Sequence, residues 1–227
     1  MLIMLIITMP TRGAVLVKDK MWPRHSTLNV VFIDGTAEQK QLVKQFAPLW
    51  LEGSSLSFEF YDGFSQAPKQ SHIRISFNLQ TGSSLGNHGD LISREPTMQL
   101  AELGSKDLPE VFARRLILHE FGHALGFEHE FRNPKWPYGN AAIEKQIIEC
   151  VPRVQRLGLE QKSAQQRCRQ INQLLTKNAT NSTIYDELSI MNYPMVIDLP
   201  NQQKKRIEAK TQLSVLDKLA MERWYGQ

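Results

Sequence analysis

Three histidines stand at spacings that suit a single metal ion. In His119-Glu120-Phe121-Gly122-His123-Ala124-Leu125-Gly126-Phe127-Glu128-His129 the first two are four residues apart, so on a helix they share a face and both imidazoles reach one ion. A third ligand six residues further on does not reach that ion if the helix simply continues. Gly126 supplies the break, because a residue without Cβ takes positive φ and swings the chain back. Three neutral imidazoles leave an open coordination position, which suits a catalytic rather than a structural zinc. Glu120, beside the first ligand, stands where a base on a zinc-bound water is expected. Zinc lowers the pKa of such a water toward ~7 and polarises a carbonyl, while the carboxylate takes the proton and delivers it to the leaving amine. Such a pattern arises by chance on the order of once in 10⁵ chains of this kind, so it outweighs a reading of these histidines as satisfied core or surface residues. His25, His72 and His88 stand alone and are read as structural or solvent-exposed.

The elements around this motif must place it. A helix from about 108 to 125 carries the first two histidines, with Pro109 in its first turn and Gly126 just past its end. Upstream, Leu28 to Ile33 reads as a buried strand ended by Asp34-Gly35. Thr36 with Gln39 forms a capping box for a helix carrying Leu42, Val43, Phe46 and Trp50, bent by Pro48. Apolar and polar residues alternate over 56–60 and 73–77, which predicts two half-buried strands, and 97–100 predicts a short further one. Ser83 to Gly86 is loop by composition. Downstream, helices are expected at about 140–157 and 159–176, then an irregular segment leads to Met191. A last helix is opened by Ser214 with Asp217 at the capping-box position and closed by Gly226.

The 227 residues, 41% of them hydrophobic, suffice for one sizeable core or one split across two lobes. A net charge of +4 without a long single-sign block, and without aromatic-interleaved basic runs, P-loop or CxxC pairs, gives no ground for a nucleic-acid partner. The apolar start, Met1 to Met9, is far shorter than the ~20 residues of a spanning helix, so no stable membrane insertion is expected. Residues 1–15 are read either as a short signal core, though without the usual basic flank, or as an apolar terminus packed on the rest. Residues 16–227 are expected to form one catalytic domain. Cys150 and Cys168, the only cysteines, fit one disulfide in an exported protein or two buried free thiols. The patterns beginning at Asn178 and Asn181 fit glycosylation only along a eukaryotic secretory route.

The residues resemble those of the metzincin zinc peptidases, and among them the astacin-like group in its compact bacterial form. Glu130 directly follows the third histidine, as in the astacin extension of the motif. Tyr185-Asp186-Glu187-Leu188-Ser189-Ile190-Met191-Asn192-Tyr193 resembles the Y-D-x-x-S-[IV]-M-H-Y segment of that family, with Asn192 in place of histidine. Pro96 to Leu100 and Leu213 to Asp217 resemble the bacterial pattern. The resemblance implies an α+β, zincin-like (metzincin) fold: a mixed twisted sheet with the zinc helix in an upper lobe, and a less regular lower lobe with a C-terminal helix. It assigns Met191 to a tight turn beneath the metal and Tyr193 to oxyanion stabilisation, where its phenol donates to developing charge. The 83–86 stretch falls where the family has the edge strand that pairs with substrate. Glu130 corresponds to a residue that meets the processed amino terminus in animal members, and a purely structural hydrogen bond is the reading preferred here.

The expectation is therefore a secreted or exported, monomeric, zinc-dependent endopeptidase. It would hold one Zn2+ on His119, His123 and His129, with Glu120 and Tyr193 as catalytic residues and an extended peptide as substrate. Two alternatives are a zinc-fold binding module without proteolysis and a zinc hydrolase of a non-protein amide or ester.

Overall fold

The structure, a computed structural model, describes residues 14–78, 80–105, 107–156, 158–182, 184–199 and 203–227. The apolar segment at the start of the chain lies outside the described residues up to residue 13, as does Thr183 of the second glycosylation pattern. Strand β1 (Val15–Val17) is followed by β2 (Thr27–Phe32), helix α1 (Ala37–Phe46), strands β3 (Ser57–Tyr61), β4 (Ile73–Ser76), β5 (Gly82–Ser83) and β6 (Met98–Gln99), and helix α2 (Glu110–Ala124). Then come helices α3 (Gly139–Gln155) and α4 (Gln161–Asn172), strands β7 (Thr180–Ser182), β8 (Met195–Asp198) and β9 (Lys204–Ile207), and helix α5 (Val215–Tyr225).

The central sheet runs β3-β2-β4-β6-β5. Its first four strands are parallel, and β5 is added antiparallel at one edge. The α+β architecture expected from the sequence is thus present. The capping box of α1 forms as read, with Gln39 N donating to Thr36 Oγ1 (3.3 Å) and Thr36 N donating to Gln39 Oε1 (2.7 Å). Pro48 turns the chain into a 3-10 segment, Ala47–Leu51, which still buries Trp50. The alternation over β4 understates its burial, for all four residues are enclosed. Arg74 is the charged member, and its guanidinium satisfies itself on the carbonyls of Glu95 (2.6 Å), Ser71 (2.7 Å) and Asp90 (3.0 Å).

Two hydrophobic clusters hold the molecule. The larger packs the sheet against α1 and α2 and continues through Phe127 and Met191 to Trp224 and Tyr225 of α5. The smaller joins Phe131 and Trp136 to α3, α4 and the β8–β9 hairpin. Within it Cys150 and Cys168 form a disulfide, which settles the alternative left open by the sequence. Closing a loop of 18 residues removes denatured-state entropy worth about 3 kcal/mol. The double variant Cys150→Ser/Cys168→Ser is expected to lose about that much in a urea titration; an unchanged midpoint would contradict it.

Three features differ from the sequence reading. Strands β1 and β7, paired antiparallel from Val15 with Ser182 to Val17 with Thr180, and the β8–β9 hairpin occupy stretches for which the sequence reading gives no strand. Each strand is too short for alternation to register, and its conformation is imposed by its partner. Pro109 stands at the N-cap rather than in the first turn of α2. Gly226 ends α5 with φ at −65°, so left-handed geometry is not what selects glycine there. A Cβ would collide with the carbonyl oxygen of Glu222.

Candidate metal site

Helix α2 presents His119 and His123 on one face, both buried. Its end is built as a Schellman turn. Phe127 N donates to Gly122 O (2.9 Å) and Gly126 N to His123 O (2.8 Å), with Gly126 at φ +95°. The remaining carbonyls find partners as well: Leu125 N donates to Phe121 O (3.0 Å), Trp22 Nε1 to Ala124 O (2.8 Å) and Tyr225 Oη to Leu125 O (2.7 Å). The chain leaving the turn is then gripped by β1, as Val17 N donates to Gly126 O (3.0 Å) and Glu128 N to Val15 O (2.8 Å). His129 is thereby delivered back to the helix face. The strand that guides it was not read from the sequence, whose only signal there is the apolar run Val15-Leu16-Val17.

The three imidazoles converge. His129 Nε2 lies 3.2 Å from His119 Nε2 and 3.0 Å from His123 Nε2, close to the edge of ~3.3 Å that four-coordinate zinc with Zn–N of 2.0–2.1 Å requires. The Nδ1 atoms explain the orientation. His119 Nδ1 donates to Ile190 O (2.9 Å) and His123 Nδ1 to Phe127 O (2.8 Å), which leaves Nε2 unprotonated and directed at the common point. Burial, and the neighbouring imidazole in the case of His119, pull these side chains down to about 3 for His119 and about 4 for His123, the carbonyl bonds opposing. His129 is likewise held well below its ordinary value, burial first. Neutral nitrogen donors are what zinc takes.

Glu120 is buried beside them, and burial, then the charge of Glu102, pushes its carboxyl up to about 8, with Arg115 opposing. Among the described residues its Oε2 has no hydrogen-bond partner. A buried carboxyl oxygen left without a partner, on the residue that follows His119, is the kind of orphan that an ion or ordered water satisfies. Zinc therefore fits the residues present.

Beneath the histidines the chain turns at Ser189 to Asn192. Asp217, fully buried at the start of α5, accepts from Ser189 Oγ (2.6 Å), Ile190 N (2.9 Å) and Ser214 N (2.9 Å). Met191 is buried against Gly122, where an added Cβ would overlap its Sδ. Gly122→Ala is accordingly expected to lower stability by about 1–3 kcal/mol through overpacking, read as a drop in melting temperature; an unshifted melt would refute the contact. Asn192, which replaces the histidine of the resembling family, is buried and accepts from Tyr185 Oη (3.3 Å) while donating to Asp186 O (2.6 Å).

Tyr193 reaches the cluster from the lower lobe. Its ring centroid is 4.2 Å from that of His129 and 5.5 Å from that of His119. The residue is 41% exposed, but desolvation of the phenol against the cluster, then Glu120 and Glu128, push it up to about 12, so the hydroxyl keeps its proton and is a donor. The residue also opens onto a groove of about 1080 Å³ between Gln80 and the α3 and β8–β9 segments. Glu130 points away from the histidines. Its Oε2 accepts from Asp186 N (3.0 Å) and Asn133 Nδ2 (3.3 Å), and burial pushes the carboxyl up to about 8. The structure thus brings His119, His123 and His129 together with the Tyr193 ring against two of them, buries Glu120 on the residue after His119, and leaves Glu130 binding the segment that leads to Met191. His25, His72 and His88 do not join the histidine cluster.

Compared with protein-family models the chain matches none, and no curated protein matches it. Solved structures do. Over 94% of this chain and 98% of the other, it superposes on "Structure of myroilysin" with a TM-score of 0.73 at 23% identity. For "Crystal structure of myroilysin" the values are 92% and 87%, 0.65 and 24%. It also matches high choriolytic enzyme 1, a hatching-enzyme zinc-protease from the medaka fish Oryzias latipes, over 91% of this chain and 94% of the other, with a TM-score of 0.56 at 16% identity. What the chain shares with these structures, across nearly its whole length, is their fold.

Proposed function

We propose that this protein is a zinc-dependent endopeptidase of astacin-like type that holds one zinc ion on His119, His123 and His129. The observation that carries the reading is the convergence of three neutral Nε2 atoms next to the orphaned carboxylate of Glu120. Bound there, zinc would supply Lewis-acid polarisation of the substrate carbonyl and a water that is nucleophilic near neutral pH. Glu120 accepts the proton of the attacking water and passes it to the leaving amine; burial raises its carboxyl to about 8, which brings the protonated form within reach near neutral pH. Tyr193 donates its hydroxyl proton in a hydrogen bond toward the negative charge that develops on the carbonyl oxygen. The fold neighbours, one of them described as a zinc-protease, support the choice of peptide as substrate.

Edge strand β5 supports binding of that peptide in extended form. It pairs on one side with β6, and its other side offers backbone groups to an incoming chain. The disulfide supports release into an oxidising compartment, and among the described residues no helix is long and apolar enough to cross a membrane. The test is metal stoichiometry together with cleavage of an unfolded protein and of small amides. Full-length protein should carry one zinc, lose cleavage of internal peptide bonds on chelation by at least 100-fold and recover it on zinc addition. Zinc binding without peptide cleavage would refute the endopeptidase reading.

A further inference from the structure

The three histidines are not supported alike. His119 and His123 each direct Nδ1 at a backbone carbonyl, whereas among the described residues no backbone carbonyl accepts from His129 Nδ1. The group beside its Nδ1 is the carboxylate of Glu128, with Oε2 3.9 Å away; the same oxygen accepts from His129 N at 3.2 Å. Glu128 is itself fixed from behind. Arg132 Nη1 donates to its Oε1 at 2.5 Å, and the rest of the guanidinium is committed to α4, Nε donating to Gln173 O (3.0 Å) and Nη2 to Gln170 O (3.1 Å). Those carbonyls belong to the C-terminal end of α4, where unpaired C=O groups and the helix dipole favour a cation. Arg132 O in turn accepts from Leu175 N (2.9 Å). Two residues before Gln170, Cys168 ties α4 to α3. An unbroken chain of bonded contacts therefore runs from the disulfide through Arg132 to Glu128 and His129.

We infer that Glu128 is the positioning residue for the third zinc ligand, and that the disulfide-stapled α3–α4 hairpin, acting through Arg132, is part of what sets the zinc affinity of the site. A negative charge facing Nδ1 strengthens an imidazole as a ligand, and loss of such outer partners lowers metal affinity by roughly 10–100-fold. Packed between Arg132 and His129 N, the carboxylate has one place to sit. The hairpin end that holds Arg132 keeps it there. This rests on the reading of the three histidines as a zinc site.

The experiment measures zinc dissociation constants by chelator competition for the wild type, Glu128→Gln, Arg132→Met, Cys150→Ser/Cys168→Ser and the combination of the last two. Cobalt(II) loading gives a visible spectrum in place of silent zinc, and melting of each metal-free protein reports folding. Glu128→Gln, close in size and still able to accept from His129 N, is expected to weaken zinc binding about 10-fold or more and shift the cobalt bands, with the metal-free melt little changed. Disulfide removal should weaken zinc several-fold in the wild type and add little once Arg132 is gone. Wild-type zinc affinity and cobalt bands in Glu128→Gln would overturn the role of Glu128, and independent, additive losses from Arg132 and the disulfide would overturn the coupling. If the Cys variant does not fold, Glu128→Gln and Arg132→Met still decide the inference. A wild type that binds no zinc would instead bring down the site reading itself, and this inference with it.

Discussion

Glu120→Gln is expected to bind zinc as the wild type does and to cleave peptide between about 100 and 10,000 times more slowly, the range over which a positioned acid–base group contributes. The substitution keeps the shape of a buried side chain and removes the ability to take up and return a proton. In the proposed site the metal would be held on the three histidines and not on Glu120, so stoichiometry should stay at the wild-type value while kcat/KM falls. The two measurements are independent, which makes the outcome decisive. Cleavage within threefold of the wild type would remove Glu120 from the reaction, and loss of zinc would mean that its role is to support the ligands.

The second large effect is structural. Asp217→Ala is expected to cost about 3–5 kcal/mol, since it leaves the buried Ser189 hydroxyl and Ile190 amide without their acceptor, at about 1–3 kcal/mol apiece before relaxation, and removes the acceptor of the half-buried Ser214 amide as well. The damage should not stay local. The peptide that Asp217 grips at Ile190 N is followed by the carbonyl that accepts from His119 Nδ1, and Met191 comes next against Gly122. Denaturant unfolding of the metal-free variant reads the stability loss, and Asp217→Asn, which keeps one acceptor oxygen, should recover part of it. A loss below 1 kcal/mol for the alanine variant would show that water replaces the carboxylate there.

What the sequence made legible follows from the range of the interactions involved. His119, Glu120 and His123 are set by helical periodicity, and the break at Gly126 by backbone sterics, so both could be read locally. The caps at Thr36 and Ser214 are local too, and both form as expected. Tyr193 was reached through family resemblance, since nothing within a few residues of it predicts that its ring meets His129. Strand β1, the partner of β7 and the guide of residues 126–128, left no mark beyond three apolar residues because its conformation comes from neighbours more than a hundred positions away. Arg132 and Glu128 escaped notice for a related reason. Charged residues four apart on a loop look solvated in sequence, and only the folded chain shows both nearly enclosed. The disulfide, open from the sequence, is closed by the antiparallel packing of α3 and α4.

The carbonyls at the end of α2 are all taken, four of them by partners from the turn, Trp22 and Tyr225. A helix end without free acceptors has no stepwise route to fraying, because its last two carbonyls are tied to Trp22 and Tyr225 from opposite ends of the chain. Its amides should therefore exchange with solvent deuterium only when the sheet, the first strand and α5 come apart together. In isotope-exchange terms the ligand-bearing turn belongs to the slowest, globally protected class. Chelation empties the pocket, yet it should leave that slow core in place.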